Sequence, residues 1–357
     1  MEHTTDKTPC ALLIADTHCG KETTEAFVRN WQEAIDICKE KNIHRVFFAG
    51  DLVLSRAAQT LDILLAIHDV LAQCRDAGIE MVMMNGNHCK VNQEAVRGYC
   101  HVFDSFSNVR VVDTFFEMPI ADGIYVSLIP YFPEQGSFIE KLRQLGTHSF
   151  GHTAKCRILI LHEGIRGGLG EPTENELPAK IFSKWDKVLV GHYHNRNRIE
   201  PNIEYIGSSR QHNFGEDEEK GYTVIYTDGT HEFIKNKVNT RYKVLDVSAE
   251  RAGLHLMDEL REIDADGRYK VKVRVHAPQA AMKSVDKAAL LEAGATKVEL
   301  IADDEELLET VSSSLFEKFD SRRIRETYEE FCREKQIDEV AVGLEYLSKI
   351  ENRPCGN

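Results

Sequence analysis

The stretch Ala11-Leu12-Leu13-Ile14-Ala15-Asp16-Thr17-His18-Cys19-Gly20 decides how this chain folds. Its five consecutive apolar residues read as a buried strand, and Asp16 and His18 follow directly, where the strand gives way to a loop. Open α/β sheets place their active sites at such strand ends. The arrangement recurs twice: Val46 to Ala49 runs into Gly50-Asp51, and Met81 to Met84 leads to Gly86-Asn87-His88. Between these strands Phe27, Trp31, Ile35 and Cys38 recur at helical spacing, as do Leu61, Leu64, Leu65, His68 and Leu71. The order is β-α-β-α-β. Asp16 to Asp51 is 35 residues and Asp51 to Asn87 is 36, each close to the roughly 30 residues of one βαβ unit. Three polar motifs are therefore expected at equivalent strand ends.

Working outward, Val109 to Val112 and Ile124 to Ile129 read as further strands. Arg157 to Leu161 runs into His162, and Lys187 to Val190 into Gly191-His192-Tyr193-His194. Strands flanking the motifs on both sides predict an α/β fold with a two-sheet β-sandwich core flanked by helices. Gly207-Ser208-Ser209, an acidic turn from Gly215 to Glu219, and strands Tyr222 to Tyr226 and His231 to Ile234 complete a first domain, residues 1–236. The pattern then restarts over 237–305, with strands Tyr242 to Val247, Tyr269 to Val275 and Thr296 to Ile301 alternating with helices Arg251 to Glu262 and Ser284 to Ala293. This reads as a smaller α+β domain. Residues 306–357 carry apolar positions at three- and four-residue intervals, including Leu307, Val311, Leu315 and Phe319. They form a helical tail whose amphipathic faces either pack on their own chain or dock a partner.

Composition bounds the function. The chain has 357 residues, 42% of them hydrophobic, enough for proper cores. No apolar stretch approaches the roughly 20 residues needed to cross a bilayer, and Met1 to Pro9 is polar. The expectation is a cytoplasmic protein without membrane contact. Nine cysteines without a Cys-x-x-Cys pair indicate reduced thiols. A net charge of -14 opposes a nucleic-acid partner. Its distribution softens this: residues 301–357 hold 15 acidic against 8 basic residues, or -7, and bound cations would offset carboxylates in a site.

Two divalent cations about 3.5 to 4 Å apart can hold a phosphodiester, activate water and stabilise the leaving oxygen. Such a pair needs a bridging carboxylate, and Asp51, central in chain order, is the candidate. Asp16, His18 and one of the late histidines would complete one ion; Asn87, His162 and the other late histidine would complete the second. Mixed nitrogen and oxygen donors favour manganese, iron or zinc over magnesium or calcium. His192 and His194, two apart on an extended segment, share a face. A lone Asp-x-His or Gly-Asp is a common turn; the ordered set, each member after an apolar run, is what carries weight. His148 and His152 fall in a polar loop and read as solvent-facing. Lys21, Arg56, Lys90, Arg196 and Arg198 flank the motifs as phosphate contacts or as ordinary surface cations, and Tyr193 reads as a wall of the site.

In this order the motifs D-x-H, G-D, G-N-H, H and G-H-x-H resemble those of the calcineurin-like metallophosphoesterases. Within them the chain is most similar to SbcD-type DNA repair nuclease subunits, including bacteriophage recombination endonuclease subunits. Tyr205-Ile206-Gly207-Ser208-Ser209, Phe214-Gly215-Glu216 and Lys220-Gly221 resemble the segment joining their nuclease core to a DNA-capping domain. The resemblance is strong to about residue 226 and weak afterwards. It implies a Mn-dependent exonuclease and endonuclease acting on DNA in end processing, recombination or repair. It also implies a partner, an SbcC-type SMC-like coiled-coil ATPase docked by the tail, and a homodimer. By the same resemblance Asp16, His18, Asp51 and His194 hold one metal ion, and Asp51, Asn87, His162 and His192 the other. His88 then stands as the catalytic group near the scissile phosphate, protonating the leaving 3'-oxygen or stabilising the transition state.

One position departs from the family pattern. Cys89 follows His88 where an acidic residue usually orients that histidine, so another group must hold the ring. Two other functions stay in view: a small-substrate phosphodiesterase or phosphatase with the same metals, and a catalytically impaired scaffold subunit. The 163 residues after His194 and the full set of ligand types favour the nuclease.

Overall fold

The structure, a computed structural model, describes residues 7–148, 154–169, 175–251, 254–263, 267–302 and 332. The sequence-predicted tail, 306–357, and His152 lie outside the described residues apart from Cys332. In chain order the first elements are β1 (Pro9–Ile14), α1 (Thr24–Glu40), β2 (Arg45–Ala49), α2 (Leu61–Asp76), β3 (Glu80–Met84) and β4 (Val109–Val111). Next come β5 (Phe116–Ala121), β6 (Ile124–Ile129), α3 (Phe138–His148), β7 (Cys156–His162) and β8 (Lys187–Gly191). A hairpin of β9 (Asn197–Glu200) and β10 (Ile203–Tyr205) follows, then β11 (Gly221–Tyr226) and β12 (His231–Lys235).

These strands make two six-stranded sheets, ordered β12-β11-β1-β2-β3-β4 and β5-β6-β7-β8-β10-β9. In the first, β1, β2, β3 and β4 run parallel, with Ile14 opposite Phe48 and Phe48 opposite Met83. The three motifs thus leave one sheet edge side by side. In the second, β6, β7, β8 and β10 run parallel and His162 lies opposite Gly191. Pro119, which cannot donate to a ladder, sits in the edge strand β5.

Continuous apolar runs arise because each sheet is buried on both faces. Ala11, Leu13, Phe47 and Val82 of the first sheet pack with Val126, Leu128, Ile158 and Ile160 of the second. Alternate residues Leu12, Ile14, Val46 and Phe48 share a core with Phe27, Trp31 and Ile35 of α1 and Ile63 and Ile67 of α2. On the far side Leu159, Leu161, Val188 and Val190 pack with Phe138 and Leu145 of α3. The result is a helix-sheet-sheet-helix stack, the two-sheet core with flanking helices that the motif spacing predicts.

Two local expectations are corrected. The buried face of α2 is Ile63, Ile67, Val70, Leu71 and Cys74, whereas Leu61 and Leu65 are 68% and 49% exposed. The helix carries two apolar stripes, and periodicity alone does not choose between them. The polar stretch around His148 begins inside a helix, since α3 extends to that residue.

By contact density the chain divides into two compact units, residues 1–243 with 264–270, and 244–263 with 271–357. The second has α4 (Leu254–Ile263), α5 (Gln279–Met282) and α6 (Lys287–Glu292), with the three-stranded sheet of β13 (Arg241–Ser248), β14 (Tyr269–Ala277) and β15 (Ala295–Ala302). Alternate residues Val271, Val273, Val275 and Ala277 of β14 are buried, as a strand with one covered face requires. The eight described cysteines are all free thiols. Among the described residues no helix is long and apolar enough to cross a membrane.

Candidate metal centre

Strand ends set where the motifs stand, and strained loops aim them. Five described non-glycine residues have positive φ, and four are sequence-predicted ligands: Asp16 (52°), His18 (42°), Asp51 (57°) and His192 (93°). Side chains rarely adopt such backbones, and they persist where surrounding structure over-determines them. Here the first two loops hold each other: the N–H groups of Asp16, His18 and Cys19 donate to the carbonyls of Gly50 (3.0 Å), Asp51 (3.0 Å) and Leu52 (2.8 Å).

The seven predicted ligands come together in two overlapping groups. In the first, His18 Nε2 lies 3.0 Å from His194 Nε2, 3.6 Å from Asp51 Oδ2 and 4.0 Å from Asp16 Oδ1. In the second, His162 Nε2 lies 3.3 Å from Asp51 Oδ2. One end of the Asn87 amide is 3.1 Å from both His162 Nε2 and His192 Nδ1 and 3.2 Å from Asp51 Oδ2, while its other end is 2.7 Å from Arg56 Nη2. Asp51 belongs to both groups. With the amide oxygen turned inward, three lone-pair atoms surround it, and His18 and His194 likewise set ring nitrogens against each other. Donor atoms crowded in this way suit shared cations; with the amide turned the other way its NH2 donates to the same three atoms and its oxygen accepts from Arg56.

Packing explains the motif glycines. A Cβ on Gly50, whose φ is 96°, would collide with the His162 ring; one on Gly86 would strike the Asp51 carboxylate and lie 2.7 Å from His162 Nε2. His162 is fully buried, with Nδ1 held 2.7 Å from the Ala49 carbonyl so that Nε2 faces the site.

Burial and mutual charge divide the titrating groups. Burial pushes the Asp16 carboxyl up. It also acts against the Asp51 anion, but the neighbouring histidines overcome it and hold Asp51 well below the carboxylate range. Burial brings His18 and His192 down to about 3. For His162 the carboxylates of Asp51 and Asp16 outweigh burial and raise it to about 9; for His194 the hydrogen bond to Glu216 does the same.

His88 is half-buried beside these groups. Its N–H donates to Asp51 Oδ1 at 2.8 Å, its Nδ1 lies 2.7 Å from the Leu54 carbonyl, and its ring meets the edge of His18 at 4.9 Å. The group that orients it is thus a backbone carbonyl. Cys89 points away, fully buried, and its Sγ accepts the Leu52 N–H at 3.2 Å.

The flanking cations separate. Lys21 and Arg56 are exposed, and Arg56 reaches Asn87. Lys90 is fully buried, donating to the Tyr131 carbonyl with its ammonium 3.7 Å from the Phe132 ring centre; burial lowers it to about 8, and it is withdrawn from phosphate contact. Arg196 and Arg198 are both engaged by Glu204, at 2.5 and 3.0 Å, and Arg196 also lies over Phe233. Both therefore belong to an ion cluster around Glu204, with Arg198 still largely exposed. Tyr193 donates to Glu176 at 2.5 Å, lies tilted against the Tyr205 ring at 4.8 Å and lines the cavity beside His192. His192, His194 and Arg196 line a cavity of about 650 Å³ with Asn213 and Glu216.

Arg210, His212 and Glu216 stand close to the site without having been singled out individually as site residues. Glu216 accepts from His194 Nδ1 at 2.8 Å, and His212 lies with His18 and His194 in one potential ligand group. Only the Phe-Gly-Glu run gave a signal in the sequence; a single arginine or histidine gives none.

The chain is similar to several known proteins. Protein 078R of Invertebrate iridescent virus 3, named as a phosphoesterase, is 25% identical over 240 residues, 66% of this chain and 67% of its own. The SbcD component of the nuclease SbcCD from Staphylococcus saprophyticus is 23% identical over 271 residues, covering 65% and 69% of the two chains. The structure of a dimetal phosphatase from Danio rerio aligns with a TM-score of 0.41 at 11% identity, over 62% of this chain and 93% of that one. Residues 11–206 match the calcineurin-like phosphoesterase family, from the first apolar strand through the Gly-His-x-His motif. The chain belongs to the calcineurin-like metallophosphoesterases.

Proposed function

We propose that this metallophosphoesterase is a two-metal DNA nuclease, hydrolysing phosphodiester bonds as an exonuclease and endonuclease with manganese. The observation that carries the two-ion reading is the shared Asp51 carboxylate between two converging donor groups. Asp16, His18, Asp51 and His194 would hold one ion, and Asp51, Asn87, His162 and His192 the other. Bound divalent ions supply Lewis-acid charge for the phosphoryl oxygens and activate a water. The chain's own residues do the rest. Asp51 fixes the His88 backbone, and the Leu54 carbonyl takes Nδ1, leaving Nε2 as the working nitrogen to protonate the leaving 3'-oxygen. Arg56, exposed beside Asn87, is the phosphate-contacting cation.

DNA as substrate rests on similarity to the staphylococcal SbcD component. By the motif resemblance, residues 237–305 would act as a DNA-capping domain, 306–357 would dock an SMC-like ATPase, and the protein would work as a homodimer inside the cell. Linear duplex and single-stranded DNA, incubated with manganese or magnesium, test the assignment. Wild type should cleave, and His88→Ala should retain its ions yet turn over about 10²- to 10⁴-fold more slowly. Hydrolysis of bis-p-nitrophenyl phosphate without attack on DNA would replace the nuclease by a small-substrate phosphodiesterase.

A further inference from the structure

The segment after the last histidine motif contributes no proposed ligand, yet it closes over the first motif carbonyl by carbonyl. The Ser209 N–H donates to Ala15 O at 3.2 Å. His212 Nε2 lies 2.8 Å from Asp16 O. The Arg210 guanidinium donates to Thr17 O at 3.1 and 3.2 Å and to His18 O at 3.0 Å. Four consecutive carbonyls are thus held from residues 209–212, and two of them belong to the left-handed residues Asp16 and His18. A turn of this kind needs such restraint, because its relaxed form would carry both side chains out of the site.

The same segment reaches the other end of the first group. Glu216 accepts from His194 Nδ1 at 2.8 Å and from the His212 N–H at 3.0 Å. Lys220 Nζ, fully buried, donates to His194 O at 2.6 Å. Motifs that lie 176 residues apart are therefore gripped by one stretch of chain. That stretch is tied to the scaffold through Ser209 Oγ on Asn30 (2.7 Å) and Gln211 Nε2 on Tyr242 O (2.8 Å). The second group is fixed mainly otherwise, with one tie to the clasped turn at Asp16. His162 is held by the Ala49 carbonyl, the His192 N–H by the Asp16 carboxylate, and the Asn87 carbonyl by Gln93.

We infer that Arg210, His212 and Glu216 are positioning residues that set the geometry of the first ion's ligands and reach the second ion's only through Asp16 and the shared Asp51. His212 stands near enough to His18 and His194 to be mistaken for a ligand. Its Nε2–H is committed to the Asp16 carbonyl, which makes it a clasp on the ligand-bearing turn. The inference rests on the two-ion reading above, and the test separates the two.

Manganese binding to the full chain is followed by calorimetry and by the EPR signal of the exchange-coupled ion pair, in wild type, His212→Leu, His212→Gln and Glu216→Gln. Wild type binding two ions upholds the two-ion reading; fewer than two overturns that reading and the inference with it. With two ions in wild type, His212→Leu should weaken one site about 10- to 100-fold and lose the coupled signal at equal metal. The other site, tied to that turn only through the His192 N–H on the Asp16 carboxylate and the shared Asp51, should weaken several-fold less. His212→Gln, which keeps a donor for the Asp16 carbonyl, should restore most of the affinity. Glu216→Gln gives an independent reading should His212→Leu fail to fold, and is expected to weaken the same site. Parallel weakening of both sites, unchanged binding in both His212→Leu and Glu216→Gln, or no rescue by glutamine would overturn the positioning role.

Discussion

The two halves of the candidate centre are built by different parts of the molecule. His162, in the second half, is the last residue of a central strand, fully buried and packed against Gly50 and Gly86. Its place follows from the cores of the sheets themselves. In the first half Asp16 and His18 stand on a strained turn whose carbonyls are held by a later, largely buried segment outside the sheets. One half is a product of the sandwich; the other is an adjustment made upon it. The difference teaches that a two-ion site need not be equally rigid throughout, and it predicts a tighter, less adjustable second half.

The largest expected effect tests what the halves share. Asp51→Ala removes the carboxylate common to both groups, and elemental analysis of the purified variant should find neither ion and no hydrolysis. Two ions per chain in that variant would break the comparison, since Asp51 would then bridge nothing. Arg56→Ala touches only the outer edge of the second half, beside Asn87. Loss of one charge-assisted hydrogen bond to phosphate, about 1.5–3 kcal/mol, should lower kcat/KM for DNA about 10- to 100-fold with both ions retained. Lost metal instead would show that Arg56 supports Asn87.

The smallest effect is in protons. Without metal, His162 is raised to about 9, while His18 and His192 are lowered to about 3. At pH 7 His162 therefore carries a proton that must leave before its Nε2 can serve as a ligand. Affinity in the second half should rise with pH up to about 9, and calorimetry in buffers of different ionisation enthalpy should detect proton release. The sign for the metal-free fold is opposite: the His162 contribution to stability is full below the unfolded value near 6.5 and is lost as pH rises through about 9. Proton-neutral binding at pH 7 would mean that His162 is not a ligand.

Much of this organisation was legible in the sequence because continuous apolar runs betray strands covered on both faces, and their ends locate Asp16, Asp51 and Asn87. The face of α2 was not, because Leu61 and Leu65 form a second stripe as regular as the buried one. Lys90 and Arg196 carry the same charge as a phosphate contact, and only tertiary packing shows one beneath the surface and the other on Glu204. The orientation of His88 was hidden for a related reason. Its partner is the carbonyl of Leu54, a group every residue possesses, so Cys89 looked like a defect where the fold had supplied another acceptor. Arg210 and His212 also act on carbonyls and leave no pattern of their own.

The left-handed backbone at His192, with φ of 93°, has an evolutionary edge. Glycine is at ease there, and relief of such strain is worth about 1–3 kcal/mol. A selection for heat resistance alone would therefore drift toward chains that melt later and have discarded a proposed ligand. Thermally hardened descendants of this protein should be checked first for the residue at 192, before their gain in stability is counted as an improvement.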